Sequence, residues 1–173
     1  MAGWTFLEVI TNPMIRTATA DDAVAVFGLI RALAAYERVA DRAVFDEREV
    51  REHLFGPRPF AEVLLAEEAG VVVGFAVFYP YYSTFQGKPG LYLEDLFVRP
   101  EFRGRGHGKG LLVELARLAA SRGCCSLEWA VLNWNDPAIA FYRSLGAEPI
   151  NEWTTYRLTG DALLKAAGPS QGS

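Results

Sequence analysis

Gly104, Gly106, Gly108 and Gly110 alternate with Arg105, His107 and Lys109, and Arg103 stands just ahead of them. Glycine lets a backbone approach a ligand closely and turn successive N–H groups toward it. Arg103, Arg105 and Lys109 add full positive charge. At the start of a helix, where the backbone carries partial positive charge, such a stretch favours phosphate. The nucleotide fingerprints do not fit. The dinucleotide pattern G-x-G-x-x-G needs a third glycine where Lys109 or Leu111 stands. The phosphate loop G-x-x-x-x-G-K-[ST] fails at Arg103 and again at Gly110. An arginine–glycine RNA-binding tail would be disordered, whereas a leucine-rich helix follows here at once. A plain turn needs fewer glycines and fewer cations.

Two further groups carry chemistry. Glu94-Asp95 interrupts an otherwise apolar strand, and burying carboxylates is costly unless they are used. A carboxylate there can take a proton from an ammonium group. Tyr142 offers a neutral phenol that donates a proton or a hydrogen bond. Each has a plainer reading, as a solvated strand carboxylate and as a packing aromatic. His107 reads as a ligand-facing or solvent-facing residue of the glycine-rich loop, and His53 as an exposed helix residue. The adjacent pair Cys124-Cys125 is badly placed to bridge with itself, and with two histidines it offers no metal-ligand spacing. The cysteines read as small buried residues in a reducing compartment.

These groups need elements to hold them. Met14–Ala18 reads as a first strand. Thr19 with Asp22 signals a helix start, and Val26, Ile30 and Leu33 recur at helical spacing to about Val39. A second helix spans Asp46 to Phe55, stopped by Gly56-Pro57. Glu62–Ala69 and Val71–Tyr79 read as strands around Gly70, the second apolar enough to be buried on both faces. Residues 80–90 read as a loop. Leu91–Val98 is a strand ended by Pro100. After the glycines, Leu111, Leu112, Leu115, Leu118 and Ala119 mark an amphipathic helix to about Ser121. Ser126–Leu132 reads as a strand. A short helix follows with Asp136 as N-cap and Pro137 first inside, ended by Gly146. Residues 147–158 hold one or two final strands. The order describes a mixed α/β domain with a central sheet over residues 14–167. Residues 1–13 read as an extension and 168–173 as a disordered tail.

Composition narrows the class. A 173-residue chain suits one ordinary domain. A net charge of −4 does not favour wholesale nucleic-acid binding and mildly suits a cationic substrate. The N-terminus lacks a secretory pattern, and no apolar run approaches the ~20 residues that span a bilayer. Cytoplasmic location follows by default.

The pattern Arg-x-x-Gly-x-Gly, here Arg103, Gly106 and Gly108, lies after a strand and opens a helix. It resembles the acetyl-CoA signature of the GNAT N-acetyltransferase superfamily. The likeness extends over Tyr92–Pro100, Asn135–Ala147 and, in order, about residues 14–160. Tyr36-Glu37, Tyr92–Asp95 and Asn135–Tyr142 are most similar to the diamine (spermidine/spermine) and thialysine branch. The resemblance implies an acyl-CoA N-acyltransferase fold, a mostly antiparallel central sheet flanked by helices. It implies that acetyl-CoA pairs with the backbone of Leu96, Phe97 and Val98, which also supplies the oxyanion donor. Arg103, Gly104, Arg105, Gly106, His107, Gly108 and Lys109 would hold its pyrophosphate. Asn135, Asp136, Pro137, Ala138 and Tyr142 would lie along its other side. Glu94 would be the general base and Tyr142 the general acid in a direct attack with no acyl-enzyme. Tyr36, Glu37, Glu94, Asp95, Glu128 and Trp129 would face a small cationic amine, and the protein would form a homodimer. One departure stands out: polyamine-specific members carry an acidic residue in the loop here reading Tyr81-Tyr82-Ser83-Thr84-Phe85-Gln86, and this chain has none. That leaves room for a shorter amine or a lysine-like amino acid. A protein lysine or N-terminal acetyltransferase, and a non-catalytic acyl-CoA-binding module, remain as alternatives.

Overall fold

The computed structural model describes residues 13–41 and 44–168. The extension before Met14, except Pro13, and the tail after Gly168 lie outside the described residues. The chain divides into two compact units, Met1–Ala130 and Val131–Ser173.

The first unit is a five-stranded sheet in the order β1-β2-β3-β4-β5. Its strands are β1 (Met14–Thr17), β2 (Glu62–Glu68), β3 (Val71–Ser83), β4 (Lys88–Val98) and β5 (Leu127–Trp129). The first three pairings are antiparallel and the β4–β5 pairing is parallel. Three helices belong with it: α1 (Ala23–Tyr36), α2 (Glu47–Phe55) and α3 (His107–Ser121). Both expected helix starts are realised. Thr19 and Asp22 form a reciprocal capping box ahead of α1, and Asp46 and Glu49 do the same at α2.

Helix α1 ends earlier than the apolar spacing suggests, at Tyr36. Arg38 and Val39 donate to the carbonyls of Ala35 and Ala34, and Arg38 takes φ 61°. This paired closure normally uses a glycine at the left-handed position. It fixes Tyr36 and Glu37 at the very end of the helix.

The sheet's two faces differ. Val63, Leu65, Phe75, Val77 and Phe97 pack with Val26, Leu29 and Leu33 of α1 and Val50 of α2. Each such fully buried side chain contributes about 1.5–3 kcal/mol. The other face meets α3 through Leu111, Leu112, Leu115 and Ala119, all buried. Burial on both sides of residues 73–78 accounts for the unbroken apolar run of β3.

Residues 80–90 are not a loop. β3 and β4 form a long hairpin, with Tyr79↔Tyr92, Tyr81↔Gly90 and Ser83↔Lys88 in register. Pro80 is tolerated because β2 pairs with β3 only as far as Phe78, leaving one side of β3 without a strand neighbour beyond it. Strand β5 is also shorter than expected, covering only Leu127–Trp129.

In the second unit, α4 spans Asp136–Ser144 and α5 spans Gly160–Ala167. The N-cap of α4 is Asn135 rather than Asp136, with Pro137 in the first turn. Residues 147–158 form no strand among the described residues, and they are almost wholly exposed. A strand pattern alone does not make a strand when no ladder partner supplies its hydrogen bonds. Helix α5 lies beyond the last element the sequence suggested.

Candidate acyl-transfer site

The site's geometry begins with a defect in the sheet. Val77 faces Asp95 and Phe78 faces Leu93, so Glu94 is an extra residue in β4. Such a bulge re-aims side chains and bends its strand. It leaves Glu94 exposed and Asp95 half-buried on the α1 face. The Tyr79 hydroxyl donates to Glu94 Oε2 at 3.4 Å, and the Tyr79 ring stacks on Tyr92 at 5.3 Å.

Asp95 lies within reach of the charges of Glu94 and Glu37. Burial, then the charges of Glu94 and Glu37, pushes Asp95 up to about 6. Burial also raises Glu37. The folded protein therefore holds the Asp95 proton more tightly than the unfolded chain, whose aspartate titrates near 3.8. That contribution is fully present below about pH 4 and is lost as pH rises through about 6. By neutral pH the loss amounts to about 3 kcal/mol, two pKa units at roughly 1.4 kcal/mol each. Asp95→Asn is accordingly expected to flatten the fall in stability between about pH 4 and 7, read from denaturant melts at both ends. An unchanged slope would show that the carboxyl is not strained.

Further along the same face, Glu128 of β5 sits beside Tyr92 of β4. The Tyr81 hydroxyl donates to Glu128 Oε1, and Ser126 Oγ donates to that oxygen at 3.0 Å. Tyr81 reaches β5 by crossing Gly90. A Cβ there would lie 2.4 Å from its ring, so only glycine leaves the passage open. The phenol of Tyr81 is held above its ordinary pKa by burial and by Glu128, and it stays a donor at neutral pH. The face thus carries two carboxylate poles, Glu37/Glu94/Asp95 and Glu128, joined by Tyr79 and Tyr92.

Trp129 does not share this face. Neighbours along a strand alternate, and Trp129 pairs with Leu93 on the α3 side. Tyr36 does reach this carboxylate-lined trough on the α1 face, with its ring 6.3 Å from Phe97.

Past Leu93↔Trp129, β5 no longer pairs with β4. Among the described residues no strand covers that edge of Leu96–Val98. The Arg99 N–H bonds to Val73 on the β3 side. Alternation then turns the backbone groups of Leu96 and Val98 outward. Val98's carbonyl indeed accepts from Arg103 Nε at 3.0 Å.

The glycine-rich loop follows. Gly104 and Gly106 take φ 77° and 87°, and Gly106 caps α3 with no side-chain hydrogen bond. The first-turn N–H groups of a helix have no partner of their own within it. Lys109 is exposed on that turn. The other cations are engaged. The Arg103 guanidinium lies 4.5 Å from the centre of the Tyr36 ring. Arg105 pairs with Glu68 at 2.5 Å and donates to the Glu101 carbonyl at 3.0 Å. His107 does not face solvent: it is 3% exposed, with Nε2 2.6 Å from Glu68 Oε2. This burial is not legible locally, because an alternating run leaves side-chain direction open until the helix start is fixed.

In the second unit, α4 carries Tyr142 half-buried, with its ring 5.4 Å from that of Phe141. Asn135's carbonyl accepts from Ala138 and Ile139, which fixes the first turn. Cys125 is exposed and Cys124 half-buried, both unbridged, so they are less buried than their type suggests. Among the described residues no group of His, Cys, Asp and Glu is placed to hold a metal ion. No helix among them is long and apolar enough to cross a membrane.

Sequence reasoning missed Tyr79, Tyr81, Ser126 and Glu68. Tyr79 and Tyr81 continue the period-two spacing of Phe75 and Val77, a signal hidden by Pro80.

Residues 29–147 match the acetyltransferase (GNAT) family. The chain is 38% identical to the thialysine N-epsilon-acetyltransferase of Bos taurus, over 90% of this chain and 97% of that one. It is 32% identical to the L-ornithine N5-acetyltransferase of Arabidopsis thaliana, over 86% and 85%. Among solved structures, an integron cassette protein of V. cholerae superposes with a TM-score of 0.78 at 29% identity, covering 91% of this chain and 98% of that one. An aminoglycoside acetyltransferase from a soil metagenomic sample shares the fold, with a TM-score of 0.73 at 21% identity over 88% and 100%.

Proposed function

The chain belongs to the acetyltransferase (GNAT) family, and on that premise we propose that it moves an acetyl group from acetyl-CoA to a primary amine of a small cationic substrate. The observation that carries this reading is the bulge at Glu94, which sets a base beside a carboxylate trough and an open strand edge.

The residues present fit acetyl-CoA. The uncovered backbone of Leu96–Val98 suits an extended amide arm, and the uncapped start of α3 with Lys109 suits a pyrophosphate. Bound there, acetyl-CoA supplies an acyl group activated as a thioester. Tyr36, Glu37, Asp95 and Glu128 attract the ammonium, with aromatic faces beside the charges. Glu94 takes the proton that an alkylammonium still carries at neutral pH, its pKa being near ~10.4. Backbone N–H groups of the Leu96–Val98 edge donate to the developing oxyanion. Tyr142 gives a proton or hydrogen bond to the departing sulfur. Asn135, Asp136, Pro137 and Ala138 belong to the cofactor side of this reading. Arg103 serves it from between the loop and Tyr36.

Two carboxylate poles on one face favour a substrate with two cationic groups, a diamine or a lysine-like amino acid, over a long polyamine. Relatives that act on thialysine and L-ornithine support the shorter choice. A cytoplasmic homodimer completes the reading. Unbridged cysteines suit a reducing compartment, and exposed Ile150, Trp153 and Tyr156 would give a partner copy an apolar surface to cover.

A thiol-release assay with acetyl-CoA against lysine, ornithine, thialysine, putrescine, spermidine, spermine and peptides tests the function. Turnover is expected with at least one free dicationic amine. Tight acetyl-CoA binding with no turnover of any amine would overturn it in favour of a non-catalytic module.

A further inference from the structure

Glu68 ends β2 at a tight hairpin whose two central residues, Ala69 and Gly70, both take positive φ, 51° and 77°. Its carboxylate is bidentate across the glycine-rich loop. Oε1 holds Arg105 at 2.5 Å and Oε2 holds His107 at 2.6 Å. Those two residues flank Gly106, the left-handed cap of α3.

We infer that Glu68 is a positioning residue for acyl-CoA, one that fixes the pitch of the pyrophosphate loop by gripping it on both sides of Gly106. The inference rests on the reading that this loop takes the pyrophosphate. Glycine gives the loop the conformation it needs and equally the freedom to leave it. A loop that must present several N–H groups at one geometry gains from losing that freedom beforehand. The grip comes from a part of the sheet remote in sequence, 37 and 39 residues away. The neighbouring strand end is held as well, since the Val73 carbonyl accepts from Arg99 just before the loop.

The side chains argue against a simple surface ion pair. His107 is almost wholly buried, and its Nδ1 has no hydrogen-bond partner among the described residues. An imidazole placed there solely to fill space satisfies itself worse than an aliphatic side chain would. Its one bond, to Glu68, ties the first helical residue of α3 to the hairpin. Arg105 in turn spends its two terminal nitrogens on Glu68 and on the Glu101 carbonyl, and lies over the Phe102 ring at 5.2 Å. It acts on the loop's shape from within, while backbone N–H groups and Lys109 are left to meet the phosphates. Arg105 and His107 therefore serve the cofactor through Glu68 rather than by side-chain contact.

The test compares acetyl-CoA with S-acetylpantetheine, a donor with the same thioester and no pyrophosphate, in the full chain and in Glu68→Gln. The glutamine keeps the shape and loses the charge. In the variant, kcat/KM for acetyl-CoA is expected to fall about tenfold, chiefly through KM, as preorganisation is lost. With S-acetylpantetheine it is expected to stay within about twofold. Arg105→Gln combined with Glu68→Gln should lose little more than Glu68→Gln alone, because the two act as a unit. Equal losses with both donors would mean a general structural role and overturn the inference. So would unchanged kinetics with both. Wild-type protein that used the two donors equally well would overturn the reading of the loop itself. Thermal melts of each variant separate unfolding from these outcomes.

Discussion

Glu94→Gln is expected to lower kcat about 100-fold near neutral pH, and the deficit is expected to shrink as pH rises toward that of the free amine. Glutamine keeps the side chain's size at an exposed position, so the fold should tolerate it. What disappears is the acceptor for the ammonium proton. An alkylammonium with a pKa near ~10.4 is about one part in a thousand neutral at pH 7.4. Without a base, turnover draws on that fraction alone, and each unit of pH restores about tenfold until the amine is free. The pH–rate profile of the variant should thus be steeper than that of the wild type and converge on it at high pH. A parallel, pH-independent loss would mean that Glu94 binds the amine rather than deprotonating it. A larger loss in Asp95→Asn than in Glu94→Gln would move the base to Asp95, whose carboxyl is already held up at about 6. The Tyr79 hydrogen bond favours Glu94 as the accepting group, because it orients that carboxylate without burying it.

Much of the geometry around this candidate site was legible in the sequence, and the reason differs from residue to residue. The left-handed turns at Gly104 and Gly106 were legible because backbone conformation is a local property. Glu94-Asp95 stood out because two carboxylates broke an apolar strand. The bulge that re-aims them was not legible, since it depends on β3 pairing as Val77↔Asp95 and Phe78↔Leu93. The expected sheet stood, with three antiparallel pairings and one parallel one. The hairpin through Pro80 and the absence of a strand at 147–158 were misread for one shared reason. Turn-forming residues and alternating patterns describe what a segment tolerates, while a ladder needs a neighbour. Glu68, Arg105 and His107 show the same limit for side chains. His107 was expected to face ligand or solvent, and Arg105 to meet phosphate. Their contacts to Glu68, 37 and 39 residues away, are not legible in the local pattern.

Tyr142→Phe is expected to lower kcat about 100-fold while leaving both KM values within about threefold and the melting temperature nearly unchanged. Asn135's carbonyl closes the first turn, Pro137 presets the backbone there, and the Phe141 ring lies tilted against the Tyr142 ring. A phenylalanine keeps the ring for that packing and removes the hydroxyl. If the hydroxyl serves only packing, its loss costs stability and leaves the chemistry alone. If it meets the departing sulfur, its loss appears in kcat, because a thiolate gains from a donor only as its charge develops. General acids of this kind contribute about 100- to 10,000-fold. The lower end is expected here, since a thiolate is already a fair leaving group, with a thiol pKa near ~8.5 against ~10 for a phenol. The same comparison predicts that the Tyr142→Phe deficit narrows for acetyl donors whose thiol is more acidic. A deficit that ignores thiol acidity, or one that appears in KM alone, would remove Tyr142 from the acid's role and leave it as a contact to the cofactor.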